Sequence, residues 1–370
     1  MSGCILFFAD ASSVHTRRWV GEMAARGFDC VVATRRPAEL PGAGEVIALR
    51  PGGDGLGWIA ALPQVRRLAR QLRPRWLHGH YVTSYGLWAA AARAAVDAPL
   101  VLTAWGSDLL VTPREPTLRG RLMAALVRRN LRRAELVTAD SADLLALARR
   151  HAPMVRCEEL SWGADTDCFV PGTPAGGFEI VSARAWEPNY RIDLVLRAVA
   201  GLRALRPTLA LRLHLLGGGP DEAMLRGLAA ELGLAPLVQF TGRVDDPTMV
   251  ATMQRARVAL SLPRSDATSV SLLESMACGL PVLASDLPAN RPWIDPAWCL
   301  PLGEDDAAAA AAVADKLAVL ADDPAAALAV GRRNRQTVLE RASRRDQMDR
   351  MAALYRALPP AATRGPTDGR

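Results

Sequence analysis

The residues best suited to chemistry lie in one short stretch of the second half of the chain. Asp266 and Glu274 are eight positions apart, and Thr268 and Ser269 are residue types that begin helices, which predicts a helix over 269–277. A helix start offers free N–H groups and a positive dipole end that suit a diphosphate. A carboxylate such as Glu274 can accept hydrogen bonds from ribose hydroxyls. The stretch therefore predicts a nucleotide site, whereas the plainer interpretation is a capped helix with Glu274 facing solvent.

The elements that must position these residues follow a regular alternation. Short apolar runs alternate with longer amphipathic stretches through most of the 370 residues, which predicts parallel sheets covered by helices on both faces. Two prolines and three glycines at 171–177 interrupt the alternation and predict a linker. We therefore predict an α/β protein with two doubly wound, Rossmann-like domains, 1–170 and 171–345, and a cleft between them. Residues 346–370 are predicted to form a helix, which could pack back on the first domain, and a disordered tail.

The stretch around Asp266 resembles the E-x7-E signature of retaining glycosyltransferases of family four, which have the GT-B fold. Residues 275–282 read Ser-Met-Ala-Cys-Gly-Leu-Pro-Val, close to the family pattern, and Asp266 replaces the first glutamate with a side chain one methylene shorter. The resemblance implies that Glu274 binds the ribose of a nucleotide-sugar donor. It also implies that Asp266 and the positions after it hold the sugar and the diphosphate, namely Thr268, Ser269 and Val270.

Other segments resemble the family pattern in the same order. Residues 216–220 contain Gly218 in a Gly-rich turn that lets backbone pack closely, although such a turn alone is weak evidence. Residues 238–244 include Arg243 and resemble the segment whose loop receives the nucleotide base. Residues 162–171 resemble the segment that runs into the interdomain linker.

The resemblance also implies that Arg184 pairs with the donor diphosphate. An arginine suits this role because its planar guanidinium can meet two phosphate oxygens at once. The family usually has a lysine about six residues later, where this chain has Tyr190 followed by Arg191. Either Arg191 replaces the lost charge, or Tyr190 hydrogen-bonds a phosphate more weakly.

The first domain departs further from the family. Ser12, Ser13 and His15 follow the first predicted strand, where members often have a Gly-Gly loop, and are predicted to contact acceptor or phosphate. His78 and His80 point the same way in a strand, but with no third ligand evident we predict His78 in the core and His80 near the cleft.

Two further candidate residues follow another predicted strand of this domain. Trp105 stands where many members have a histidine that contacts the transferred sugar. Asp108, three residues later, is our candidate to supply a polar group instead. We assign both residues to the acceptor or sugar side of the site.

Metals and cofactors are not expected. The six cysteines are scattered, without a C-x-x-C pair, which fits a reducing cytoplasm. Asp165 and Asp167 form the D-x-D metal motif of a different glycosyltransferase fold, but their position before the linker favours a turn. We predict no catalytic metal and no cofactor besides the nucleotide-sugar co-substrate.

The charge and the hydropathy of the chain bear on whether it binds nucleic acid or a membrane. The net charge is +7, with a single lysine among 45 basic residues, and we find no nucleic-acid recognition motif. No apolar run reaches the roughly 20 residues of a membrane span.

The segment from Arg114 to Arg133 holds seven arginines and one acidic residue. It is either a basic amphipathic helix on the inner face of a membrane or a solvated helix with core-facing leucines at 118, 122, 126 and 131.

These features together predict a cytoplasmic, hexosyltransferase-type enzyme of polysaccharide biosynthesis. It would move a sugar from a nucleotide-sugar donor to a glycan or lipid-linked acceptor, with retention of configuration. The alternatives are a GT-B nucleotide-sugar epimerase and a nucleotide-sugar binding protein with impaired catalysis. A dehydrogenase is disfavoured because no G-x-G-x-x-G follows the first predicted strand.

Overall fold

A computed structural model describes residues 3–49, 56–110 and 117–359. The chain forms two compact units. It leaves the first unit after Ser161, forms the second over Trp162–Arg345, and returns to the first from Asp346 onward. The Pro- and Gly-rich segment 171–177 has no regular secondary structure and belongs to the second unit.

The first unit is built on a parallel sheet of seven strands in the order β3-β2-β1-β4-β5-β6-β7. Neighbouring strands pair in parallel throughout, as Ile5 does with Cys30 on one side and Trp76 on the other. The central strands are buried because helices cover the sheet, which accounts for their continuous apolar runs. The strands are β1 (Cys4–Phe8), β2 (Asp29–Thr34), β3 (Glu45–Ala48), β4 (Trp76–His80), β5 (Leu100–Thr103), β6 (Leu136–Ala139) and β7 (Cys157–Glu159).

The helices of the first unit follow the predicted alternation, with two interruptions. Ala61 separates the helix Leu56–Ala60 from the helix Leu62–Leu72, and a π-helical turn, Tyr81–Tyr85, precedes the helix that begins at Gly86. The helices are α1 (Val14–Ala25), α2 (Leu56–Ala60), α3 (Leu62–Leu72), α4 (Gly86–Arg93), α5 (Ser107–Leu110), α6 (Leu118–Leu131) and α7 (Ala142–His151).

The second unit repeats the architecture with six strands in the order β10-β9-β8-β11-β12-β13. Its paired strands are also parallel. The strands are β8 (Phe178–Ser182), β9 (Leu211–Leu216), β10 (Val238–Gly242), β11 (Val258–Ser261), β12 (Val282–Ser285) and β13 (Cys299–Leu300). The helices are α8 (Ile192–Leu205), α9 (Glu222–Glu231), α10 (Asp246–Arg255), α11 (Val270–Ala277), α12 (Asp306–Asp322) and α13 (Pro324–Arg341).

The chain ends in α14 (Arg344–Ala357), whose residues from Asp346 onward belong to the first unit. Tyr355 of this helix hydrogen-bonds Nδ1 of the fully buried His78, whose Nε2 lies 2.7 Å from Oγ1 of Thr103. A buried polar chain therefore ties α14 to β4 and β5. The predicted disordered tail comprises residues 359–370, of which 360–370 lie outside the described residues.

The predicted fold class is confirmed: two doubly wound, parallel α/β units are present. The helix α10 and the short strand β13 are additions that the sequence patterns did not indicate. Within the described residues, no helix is both long and apolar enough to cross a bilayer.

Candidate functional site

The centre of the candidate site is Arg184, which follows β8. Its Nη2 lies 2.5 Å from Oδ2 of Asp266, and its Nη1 donates a hydrogen bond to the hydroxyl of Ser269. The guanidinium lies over the ring of Tyr190, 4.4 Å from the ring centroid. The fold thus brings together four residues selected from the sequence, although they are up to 85 positions apart.

A glycine turn explains why Arg184 is held at this point. Trp186 donates its backbone N–H to the carbonyl of Gly218 at 3.1 Å. Gly217 has φ of 155°, and a Cβ there would collide with the carbonyl oxygen of Arg184, while a Cβ at Gly219 would collide with that of Trp186. Only glycines allow the two backbones to approach so closely. The turn after β9 therefore fixes the loop that carries Arg184.

The predicted helix start is formed by Ser269 and Thr268. Ser269 is the N-cap of α11, and its Oγ accepts from the backbone N–H of Leu272 at 3.3 Å. Oγ1 of Thr268 accepts from the indole of Trp293 at 3.4 Å. The helix proper begins at Val270, where the first backbone N–H groups have no partner within the helix. Partial positive charge at this end adds to that of Arg184.

Asp266 balances this positive charge. Burial raises the pKa of its carboxyl, and the adjacent Arg184 acts in the opposite direction. The carboxylate is the first-position acid of the motif, and the shorter aspartate reaches the guanidinium directly.

Arg191 and Tyr190 contact different parts of the second unit. The φ of Arg191 is 50°, its side chain is 3% exposed, and its Nη2 lies 2.7 Å from Oδ1 of Asp306 at the start of α12. This ion pair ties Arg191 to the start of α12. Of the two residues at the missing-lysine position, Tyr190 is the one that contacts Arg184.

Glu274 lies on α11 with 2% exposure, so the interpretation in which it faces solvent is wrong. Its Oε1 lies 3.8 Å from Nη2 of Arg344, and Nη1 of the same arginine lies 3.4 Å from Asp165. Oδ1 of Asp165 also accepts from the backbone N–H groups of Asp167 and Cys168, which closes a turn. No sequence signal pointed to Arg344.

Gly218 and Arg243 extend the candidate site along the sheet. They follow β9 and β10, and a Cβ at Gly218 would lie 3.6 Å from Cγ of the exposed Arg243. Arg184 and Asp266 follow β8 and β11. All four residues therefore lie beyond the carboxyl ends of adjacent parallel strands, where doubly wound sheets bind their ligands.

The first unit has an aromatic cluster at the corresponding ends of β1, β4 and β5. The ring of Trp105 lies 5.0 Å from that of His15, 5.3 Å from that of His80 and 6.0 Å from that of Tyr81. His80 is 1% exposed, and burial, followed by the neighbouring His15, lowers its pKa to about 3. Tyr81 has φ of 66° and was not selected from the sequence; its place directly after His80 is the one available signal.

Ser12 and Ser13 lie in the loop after β1. Both the backbone N–H and the hydroxyl of Ser12 donate to Oδ1 of Asp10, at 3.0 and 2.6 Å. Ser13 is the N-cap of α1, without a capping hydrogen bond from its side chain. The loop therefore presents two hydroxyls beyond the carboxyl end of β1.

Asp108, expected to supply a polar group to the sugar, hydrogen-bonds backbone amides instead. Its Oδ2 accepts from the N–H of Val82 at 2.7 Å, and its Oδ1 from those of Trp105 and Gly106 at 3.1 and 3.0 Å. The side chain is 2% exposed. The expectation that it offers a polar group to a sugar is corrected, because both oxygens are engaged with backbone amides of the loops after β4 and β5.

Comparison with known proteins adds to this geometry. Residues 4–141 match the family model of glycosyl transferase 4-like proteins, and residues 165–336 match that of glycosyl transferases group 1. A D-inositol 3-phosphate glycosyltransferase of Thermobispora bispora is 29% identical over 158 residues, which are 38% of this chain and 37% of that protein. The first curated relatives are matched over 32% to 56% of their own length.

Solved structures share the fold along nearly the whole chain. A sucrose-phosphate synthase from Thermosynechococcus elongatus has a TM-score of 0.79 at 20% identity, covering 96% of this chain and 98% of its own. Anabaena HepE in complex with UDP-glucose has a TM-score of 0.78 at 16% identity, covering 96% and 100%. The predicted GT-B fold is confirmed, and the chain is similar to glycosyl transferase 4-like proteins in its first region and to group 1 glycosyl transferases in its second.

Proposed function

We propose that the chain is a retaining, hexosyltransferase-type glycosyltransferase that moves a sugar from a nucleotide-sugar donor to a glycan or lipid-linked acceptor. The observation that carries the proposal is the contact of Arg184 with Ser269 at the start of α11 and with Asp266. Related proteins named as glycosyltransferases and a GT-B structure holding UDP-glucose support the same class of donor.

The proposed chemistry separates charge between the sugar and the leaving diphosphate. Positive charge develops on the anomeric carbon and negative charge on the diphosphate oxygens. Arg184 and the first N–H groups of α11 stabilise the leaving group because they are fixed before the reaction begins. They supply the positive charge that a metal ion would otherwise provide, and we therefore propose a reaction without metal or cofactor.

Donor binding must reorganise the contacts of Arg184. Asp266 places one negative charge beside the guanidinium, and a diphosphate competes for the same N–H donors with more charge and more acceptor oxygens. We propose that Asp266 then accepts hydrogen bonds from sugar hydroxyls, while Glu274 accepts from the ribose. The acceptor hydroxyl attacks on the face from which the nucleotide departs, and a donor phosphate oxygen takes its proton.

The test is a thermal-shift titration with UDP- and GDP-sugars, followed by product analysis. A bound donor raises the apparent melting temperature of the wild type. Arg184→Ala should weaken donor binding by about 10- to 100-fold, the range expected for charge-assisted hydrogen bonds. Glu274→Ala should reduce both binding and turnover. Arg197→Ala, an exposed arginine of α8 in the same unit, is the matched control and should behave as the wild type.

Three results would contradict the proposal. The first is that no nucleotide sugar shifts the melting of the wild type. The second is an epimerised donor in the absence of acceptor, which would identify an epimerase. The third is donor binding without turnover toward any glycan or lipid-linked acceptor, which would identify a binding protein. Inversion at the anomeric carbon, measured by NMR of the product, would overturn retention alone.

A further inference from the structure

Two helices of the first unit carry a dense set of arginines. The segments 62–73 and 117–134 contain α3 and α6 and have no acidic residue. All but one of their arginines are exposed, and the last of them is half-buried. They are Arg66, Arg67, Arg70, Arg73, Arg119, Arg121, Arg128, Arg129, Arg132 and Arg133.

In the described part of the chain, these clustered arginines form no ion pairs with acidic residues. Elsewhere arginines form ion pairs, as Arg93 does with Glu135 and Arg26 with Glu22. Among the described residues, none of the ten lies within 4.0 Å of a carboxylate oxygen. Their positive charge is therefore not compensated within the described part of the chain.

Arginines of the two segments lie near one another where Arg66 of α3 approaches Arg133, which follows α6. Burial, followed by the neighbouring Arg129 and Arg66, lowers the pKa of Arg133, which places arginines of α3 and α6 close together. On α3, Arg66, Arg67 and Arg70 line a shallow surface concavity together with Pro63 and Gln71. Like charges that gather without counter-ions repel one another, so this surface favours contact with an anionic partner.

Apolar side chains lie within the same surface. Leu118 is 75% exposed and Leu122 is 58% exposed. With Ala125 and Arg129 they follow a spacing of three and four residues along α6, which places them on one outward stripe. Gly120, Val127 and Leu131 form the buried face. The interpretation of this segment as a helix with core-facing leucines is thus wrong for Leu118 and Leu122, and correct for Leu131. Its first residues, 114–116, lie outside the described part of the chain.

We propose that the basic surface of α3 and α6 docks the protein on an anionic lipid bilayer. A bilayer can bind both the arginines and the exposed leucines. Lipid phosphates would pair with the arginines, and the boundary of the acyl chains would bury the two leucines. Long arginine side chains can reach headgroups while their stems stay in apolar surroundings. A nucleic acid or a free phosphate would use the charge alone and would leave Leu118 and Leu122 in water.

The experiment measures sedimentation of the full chain, without donor, with vesicles of phosphatidylcholine alone or with one quarter phosphatidylglycerol. We expect binding to the anionic vesicles only. The charge-reversal variant Arg66→Glu/Arg70→Glu/Arg129→Glu should bind at least on the order of 100-fold more weakly, since each of the three lost basic residues contributes about a factor of five. The matched control Arg197→Glu/Arg332→Glu/Arg333→Glu makes the same charge change on exposed arginines of the second unit and should bind as the wild type.

A second variant separates lipid insertion from simple charge attraction. Leu118→Ser/Leu122→Ser keeps every arginine and should weaken vesicle binding about tenfold at both low and high salt, because apolar burial is not screened. Equal binding of this variant and the wild type would overturn the bilayer as the partner.

Two further results would overturn the proposal. One is equal sedimentation of the wild type with neutral and anionic vesicles, and the other is equal loss in the charge-reversal and control variants. Tighter binding to an oligonucleotide duplex than to vesicles at equal phosphate concentration would identify nucleic acid instead. Unchanged melting curves of all variants establish that each is folded.

Discussion

At the scale of single residues, the candidate site centres on the guanidinium of Arg184. Asp266 and Ser269 fix two of its nitrogens, and the ring of Tyr190 covers its plane. A stacked aromatic ring holds a guanidinium in one orientation and stabilises it by about 0.5–2 kcal/mol. Stacking on Tyr190 thus limits the orientations that the Arg184 side chain can adopt.

The role of the ring can be separated from that of its hydroxyl. Tyr190→Phe keeps the stacked ring and should bind a nucleoside diphosphate within about twofold of the wild type. Tyr190→Leu removes the stack and should weaken that binding by about 3- to 10-fold. Calorimetric titration measures both, and the corresponding nucleoside monophosphate should show little difference between the variants. Equal losses in the two variants would assign the effect to the hydroxyl.

At the scale of elements, loops beyond the strands are held by contacts between backbones. Asp108 joins the loops after β4 and β5 in the first unit through three backbone N–H groups. Gly217 and Gly219 join the loops after β8 and β9 in the second. Such contacts fix loop geometry independently of any ligand, which is a requirement for preorganised electrostatic stabilisation.

A pair of glycine substitutions tests this arrangement. Gly217→Ala places a Cβ against the carbonyl of Arg184 at φ of 155°, and it should destabilise the protein by at least about 2 kcal/mol and weaken donor binding. Gly227→Ala meets no atom within 4 Å and lies within α9, so it should stabilise the protein by about 0.5–1 kcal/mol. Chemical denaturation measures both changes. A Gly217→Ala variant as stable as the wild type would refute the close approach.

At the scale of the whole molecule, the two units have similar sheets but different buried titratable groups. His78 and His80 lie inside the first unit, and burial is the main cause that lowers the pKa of each. An ordinary unfolded histidine binds a proton below about pH 6.5. Below that pH and down to about 3 for His80, the unfolded chain binds more protons than the folded one, so the unfolding free energy falls as the pH is lowered.

The expected loss is measurable by urea denaturation at pH 7.5 and 5.5. Each buried neutral histidine should remove about 1.4 kcal/mol from the unfolding free energy over this interval. In His80→Leu the difference between the two pH values should shrink by that amount, whatever the absolute stability of the variant. The same pH difference in the variant and the wild type would show that His80 takes up a proton in the folded state.

The sequence by itself determined the repeating pattern of this protein and the residue types of its candidate site. Apolar runs of strand length between amphipathic helices dictate parallel sheets, because only covered strands are apolar on both faces. Arg184, Asp266, Ser269 and Tyr190 were recognisable as types and by resemblance. The division of the two units between Ser161 and Trp162 was not recognisable from the sequence. The Pro- and Gly-rich segment 171–177 has the composition of a linker, but it belongs to the second unit.

Only the tertiary structure decided which of these residues meet. Strand order places residues 80 or more positions apart beyond neighbouring strand ends, and no local pattern encodes that order. The tertiary structure also decided that Asp108 accepts hydrogen bonds from backbone amides and that Arg191 pairs with Asp306. It decided as well that Leu118 and Leu122 are exposed. The physical reason is the same in each case: the partner of a polar group, and the burial of an apolar one, depend on segments distant in sequence.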